Sequence, residues 1–339
     1  MATPLPQIDV SHLKAALTAA KEKRREATLR RADTALLTQQ LNHRRAVEQV
    51  LRPFFTKAGL DIEKLDEMAA QNQSELRRIF QNHKAEAAQR ASLEMAAIRE
   101  GVQRRARALQ NLANLPVVPF TAIPLEPIFI WQTNVDSFRG SHVEPGNNWV
   151  KFLIDAMSGS QDTEFSFVFF WQNQRNDLAV VNVTSSLVLN GACEVVAAPG
   201  FFSGDTSELK LKASLTLLGM WQPDPQNPEL PPPTPPRQGS QDQPLLSLKA
   251  HGSGLYWSAH FDSKNFSASS HDLGYDLFLI PPQSSAVFEV SLGVSYGFPD
   301  GGGNISDLVL ADFANDNLGY MLMCPGLQLD LLTAPQAVA

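Results

Sequence analysis

Residues 115–127 read LPVVPFTAIPLEP, and the prolines at 116, 119, 124 and 127 prevent any helix from running through them. The chain changes character at this point. Residues 1–115 carry 20 Lys+Arg against 13 Asp+Glu, a balance of +7, and residues 116–339 carry 8 against 22, a balance of −14. The first part is rich in Ala, Leu, Gln, Glu and Arg and has one glycine before residue 100, Gly59; the second is rich in Val, Phe, Ser, Gly and Asn. A chain of 339 residues suits two or three domains. The expected organisation is a helical part over 1–115, a proline-rich linker over 116–127, a β-domain over 128–333 and a tail over 334–339.

The first part reads as two long helices. Leu29, Ala32, Leu36, Val47, Val50 and Phe54 recur at helical spacing, and Asp9 or Ser11 is placed to cap the start. Gly59 suits a helix C-terminus, and Asp61 suits the next N-cap. From Leu65 a second stripe runs through Ala69, Leu76 and Ile79 towards Leu109 and Leu112. A turn near Gly59 makes the expected unit a long antiparallel, coiled-coil-like hairpin, each arm about 70 Å at 1.5 Å per residue.

The second part reads as strands. WVKFLIDAM (149–157) alternates, with Val150, Phe152, Ile154 and Ala156 on one face. EFSFVFFWQ (164–172) puts Phe165, Phe167, Phe169 and Trp171 on one side and Ser166, Val168 and Phe170 on the other. Such a strand is central and covered twice: the long row fills a core, and Val168 and Phe170 lie under a loop, a helix or another subunit. LAVVNVTSSLVL leads into Asn190–Gly191, the strongest hairpin signal in the chain. About nine strands follow one another without a βα repeat, so the expected fold class is α+β multidomain: the helical hairpin, then an antiparallel β-sandwich of jelly-roll type. Residues 223–244, with nine prolines in 22 residues, read as an exposed insertion of polyproline type. Its Pro232-x-x-Pro235-x-Arg237 matches SH3-binding peptides only as proline-rich loops readily do.

No catalytic constellation stands out. GxSxG, P-loop, Rossmann and HExxH patterns are absent, and Cys193 and Cys324 read as buried thiols rather than ligands or redox groups. No cofactor is expected. Asp300, Asn304 and Asp307, with Asp312 and Asp316 beyond, form an oxygen-rich stretch that lacks the regular spacing of a calcium loop; a glycine-rich turn is the expectation, with weak calcium binding as its alternative. Four Asn-x-Ser/Thr triplets, at Asn72, Asn182, Asn265 and Asn304, read as chance in a chain whose N-terminus is no secretory signal, so synthesis in the cytoplasm is expected.

Interaction is the better expectation. Arg24, Arg25, Arg31, Arg45, Arg104 and Arg105 belong to recurring arginine pairs. Interleaved acids and a lack of stacking aromatics argue against nucleic acid and for a solvated or inter-chain charged face. Arginine at that density also argues against membrane insertion. An exposed Phe170 would mark an interface. Trp149, Trp221, Tyr256 and Trp257 fall near predicted strand ends, where aromatics stack on sugars. Two readings follow. One is a non-enzymatic structural or assembly protein that forms a homo-oligomer or larger particle. The other is a glycan- or receptor-binding sandwich, as part of a toxin or fibre.

Overall fold

Alternation of apolar and polar side chains with period two dictates what the chain does from residue 120 onward. The computed structural model describes residues 10–29, ten positions between 53 and 78, and 120–133, 138–197, 206–221, 238–252, 260–299 and 307–332. One helix with defined bounds, α1 (Val10–Leu29), precedes the strands among the described residues, and positions 53, 56, 57, 64, 67, 71 and 78 are also helical. These are β1 (Phe120–Leu125), β2 (Phe129–Gln132), β3 (Phe138–His142), β4 (Trp149–Ala156), β5 (Ser160–Gln172), β6 (Ala179–Ala197), β7 (Thr206–Trp221), β8 (Gln238–His251), β9 (His260–Ile280), β10 (Ser285–Gly297), β11 (Leu308–Asp312), β12 (Met321–Met323) and β13 (Leu327–Leu332).

The strands build two antiparallel sheets. The first places β4, β11, β6 and β9 side by side, with β12 and β13 continuing the column of β11 along β6, β1 beyond β13 and β3 beyond β4. The second runs β2-β5-β10-β7-β8. The chain crosses between sheets at β1–β2, β2–β3, β4–β5, β5–β6, β6–β7, β8–β9, β9–β10 and β10–β11. That winding is a jelly roll. Its core lies between the sheets. Phe152, Phe165, Phe167, Phe169 and Phe288 are wholly enclosed there, and Phe152 stacks on Phe165 at 4.1 Å. Trp171 is packed against that core at its rim.

Among the described residues the structure contains no long N-terminal helical hairpin. Strand makes up about 68% of it, and α1, at 20 residues, is the one α-helix with defined bounds among the described residues. Coiled coil and hairpin are therefore the wrong words for this fold. Helical propensity and a 3.6-residue stripe are weak guides over long stretches, since helices draw their stability from what they pack on. Locally, Gly59 does adopt a left-handed φ of +84°, and the Asp61 carboxylate accepts the Lys64 amide at 3.1 Å. Most of the stripe from Ala32 to Leu112 lies outside the described residues.

Asn190–Gly191 is also no turn. Both sit inside the 19-residue β6. A Cβ on Gly191 would lie 2.5 Å from Phe313 Cδ1 and 2.6 Å from the Asp312 carbonyl, so glycine is there for close approach. The Asn190 amide donates to the Gly319 carbonyl at 2.8 Å, holding the 314–320 excursion that separates β11 from β12. Its oxygen accepts the amide of Ala268, a β9 residue at φ +50°. Asn182 repeats the device eight positions earlier, accepting the amide of Leu277 at φ +60°. The proline-rich stretches contribute strands at sheet edges. Pro124 lies in β1, and Pro244 lies in β8 beside a register shift, where a missing N–H costs no ladder bond. Residues 238–244, expected as loop, are thus β8.

Candidate interaction surfaces

The outer face of the second sheet is covered by α1. That segment has no glycine or proline and is rich in Ala, Lys, Arg, Glu and Leu, all strong helix formers. Leu13, Leu17 and Lys21 stand four apart and so share one face. Leu13 packs with Phe129, Trp131, Val168, Leu218 and Val287, and Leu17 and Phe170 border the same cluster. Phe170 is thus half-buried beneath a helix.

Lys21 is the polar centre of this contact. It is 7% exposed, and its ammonium donates to Glu289 Oε1 and, at 2.7 Å, to Ser166 Oγ. It also lies 3.7 Å from Glu164 Oε2 and 4.1 Å from the centre of the Trp131 ring. Glu289 is 1% exposed and stands in the middle of β10, opposite Val168 on one side and Thr216 on the other. Its Oε2 has no hydrogen-bond partner among the described residues. A buried ion pair adds little net stability, but removing one member leaves a charge stranded, at a cost of about 3–5 kcal/mol. Lys21 therefore fixes where along the sheet α1 sits. The sequence signal for this pair is Glu289 itself, a lone acid within the apolar run AVFEVSL.

On the outer face of the first sheet, Trp149 of β4 lies opposite His142 of β3, and the rings stack at 5.6 Å. The Lys151 ammonium sits 5.1 Å from the Trp149 ring centre and pairs with Asp316. His142 Nε2 meets Glu144 Oε2 at 2.8 Å. The Asn147 amide and then His142 hold the Glu144 carboxyl below its ordinary range. Trp149 also packs on Val188, Ala268, Met321 and Met323. Of the four aromatics singled out in the sequence, Trp149 alone has a described side chain; Trp221 has backbone only, and Tyr256 and Trp257 lie outside the described residues.

At one end of the same face the register lines up Leu279 of β9, Val180 of β6 and Leu332 of β13. Leu178 and Leu277 flank this row, and the four leucines are 36–62% exposed.

The remaining sequence candidates do not converge. Arg24 and Arg25 lie in α1 with undescribed side chains, and Arg31, Arg45, Arg104, Arg105, Asp300 and Asn304 lie outside the described residues. Asp307 is buried, and Asp316 is engaged by Lys151. Among the described residues no three His, Cys, Asp or Glu side chains are grouped as a metal requires. Among them, too, no helix is long and apolar enough to cross a membrane. Cys193 and Cys324 are both free and buried, and burial raises both thiols, Cys324 to about 12.

Fold and surfaces together define a jelly-roll β-sandwich with one helix strapped across its second sheet. No protein-family model matches the chain, and no curated protein matches it.

Proposed function

We propose that the protein is a non-enzymatic structural or assembly protein whose sandwich packs against further copies of itself. The observation that supports this reading is the leucine row at the corner of the first sheet. Leu279, Val180 and Leu332 adjoin across three strands, flanked by Leu178 and Leu277. Single exposed leucines are ordinary, but apolar residues in adjoining register mark a surface that another protein covers. The same face carries no buried charge in that row, so an identical patch related by a two-fold axis meets it without stranding an ion. Light scattering of the full chain at micromolar concentration tests the reading. A mass above the monomer is expected, falling when Leu279 and Leu332 are both replaced by aspartate. A monomeric mass for the unaltered protein overturns it.

A second reading, glycan or receptor binding, draws on the Trp149 cluster, where an indole, an imidazole, an ammonium and carboxylates adjoin. Its expected result is glycan-array signal that Trp149→Ala abolishes; an array without signal removes the glycan form of this reading.

A further inference from the structure

We propose that the face of the second sheet beneath α1 is a docking surface shared between copies, and that α1 of one chain seats on the β5–β10 face of a neighbour. This rests on the assembly reading and goes beyond it, because it names a second surface and its occupant.

The contact between α1 and the sheet is made by side chains. Leu13, Leu17 and Lys21 are its buried or half-buried anchors, while Lys14, Ala15, Ala19, Glu22 and Lys23 are exposed. An element held this way can leave its seat without breaking any strand. The seat is the same on every copy: an apolar strip of Phe129, Trp131, Val168 and Val287, with Glu289 at its centre. An empty seat exposes that strip and leaves Glu289 without its ammonium partner, so it selects an amphipathic helix with a lysine one turn beyond two leucines. The Leu13-Leu17-Lys21 pattern is that helix.

Connectivity does not restrict α1 to its own sandwich. Residues 30–119 separate α1 from β1. A segment of that length reaches at most about 300 Å when extended, against a radius of gyration near 17 Å for a domain of about 210 residues. Charge favours exchange as well. Residues 1–115 carry +7 and residues 116–339 carry −14, so each basic N-terminal part is drawn to any sandwich nearby. Once the leucine rows bring copies together, the neighbour's seat competes at high effective concentration. Exchange of an identical element preserves every contact described above and links the copies at little cost.

The test uses the full chain in light and nitrogen-15 forms, unfolded together, refolded as an equimolar mixture and treated with a zero-length carbodiimide. The reagent joins the Lys21 amine to the Glu289 carboxylate as an amide, with the elements of water taken up by the carbodiimide. Random exchange should give about half of the Lys21–Glu289 peptide pairs one light and one heavy partner. Cross-links confined to like isotopes overturn the proposal. A charge exchange gives a second measurement. Lys21→Glu and Glu289→Lys should each lose α1 amide protection at least tenfold, and the equimolar mixture should recover it. If the mixture stays unprotected while the double variant is protected, α1 seats only on its own chain. A monomeric mass overturns the assembly reading and the exchange together; a larger particle with only like-isotope cross-links overturns the exchange alone.

Discussion

Replacing Gly191 by alanine should cost the sandwich about 3 kcal/mol, at the upper end of what overpacking a core does. The added methyl would meet Phe313 Cδ1 at 2.5 Å, Phe313 Cε1 at 2.7 Å and the Asp312 carbonyl at 2.6 Å. Carbon atoms in contact rest about 3.5–4.0 Å apart, so something must move by roughly 1 Å. Neither neighbour is free to do so. The Phe313 ring is wholly enclosed and stacks on Phe152 at 4.8 Å, and Phe152 in turn stacks on Phe165. Asp312 is bound into the ladder between β4 and β6. Urea unfolding followed by intrinsic fluorescence measures the effect. With a slope of about 1–3 kcal/mol per molar urea, the midpoint should fall by about 1 M or more. Gly293→Ala is the control, because its Cβ would find only the Lys212 carbonyl, at an ordinary 3.7 Å. Adding Phe313→Ala to Gly191→Ala should relieve the clash, giving a coupling of at least about 1 kcal/mol. A Gly191→Ala variant within about 0.5 kcal/mol of the parent would refute the close-approach argument.

Phe169→Ala removes a fully enclosed side chain and should cost about 3–5 kcal/mol, read from the same urea series; an unchanged midpoint would mean that Phe169 lies outside the core. His271 has a buried Nε2 without a hydrogen-bond partner among the described residues, and burial holds its pKa below the ordinary 6.5. The unfolded chain therefore binds the proton more readily. The contribution of His271 is present above pH 6.5 and lost as pH falls through its folded value, and His271→Gln should flatten the stability profile below pH 6.5. Cys193 and Cys324 are enclosed and held as thiols, so Ellman's reagent at pH 8 should label neither in the native protein and both in urea; prompt native labelling would contradict their burial.

Where one residue answers to its immediate neighbours, the sequence was readable. The alternation of Phe165, Phe167 and Phe169 with Ser166 and Val168 predicts two covered faces, and the structure has a core on one and α1 on the other. The strand character of Val150, Phe152 and Ile154 is likewise local, since all three are buried as their spacing requires. Where a partner far along the chain decides, the sequence misled. Asn190–Gly191 carries a hairpin signature, yet Phe313 and Ala268 claim the glycine's missing side chain and the asparagine's amide. Nothing within ten residues of Gly191 reveals that. The helical stripe failed differently, because a period of 3.6 specifies a face but not what the face meets. Lys21 and Glu289 were missed for the same reason: 268 residues separate them, and neither shows alone that the other will cover it.

The two asparagines of β6 have a further consequence for how the edge of the first sheet meets other chains. Among the described residues β9 pairs with β6 alone, so this 21-residue strand is a sheet edge of a length that invites pairing with any extended chain. The left-handed residues Ala268 and Leu277 cut that edge into 260–267, 269–276 and 278–280. At each break Asn190 or Asn182 takes up the amide that the bulge releases. An incoming strand would lose register at both breaks, and the Gln241 side chain of β8 already occupies the Gly274 amide. Growth by edge-to-edge stacking, the route to amyloid-like fibres, is thereby blocked along β9, the longest of the described strands.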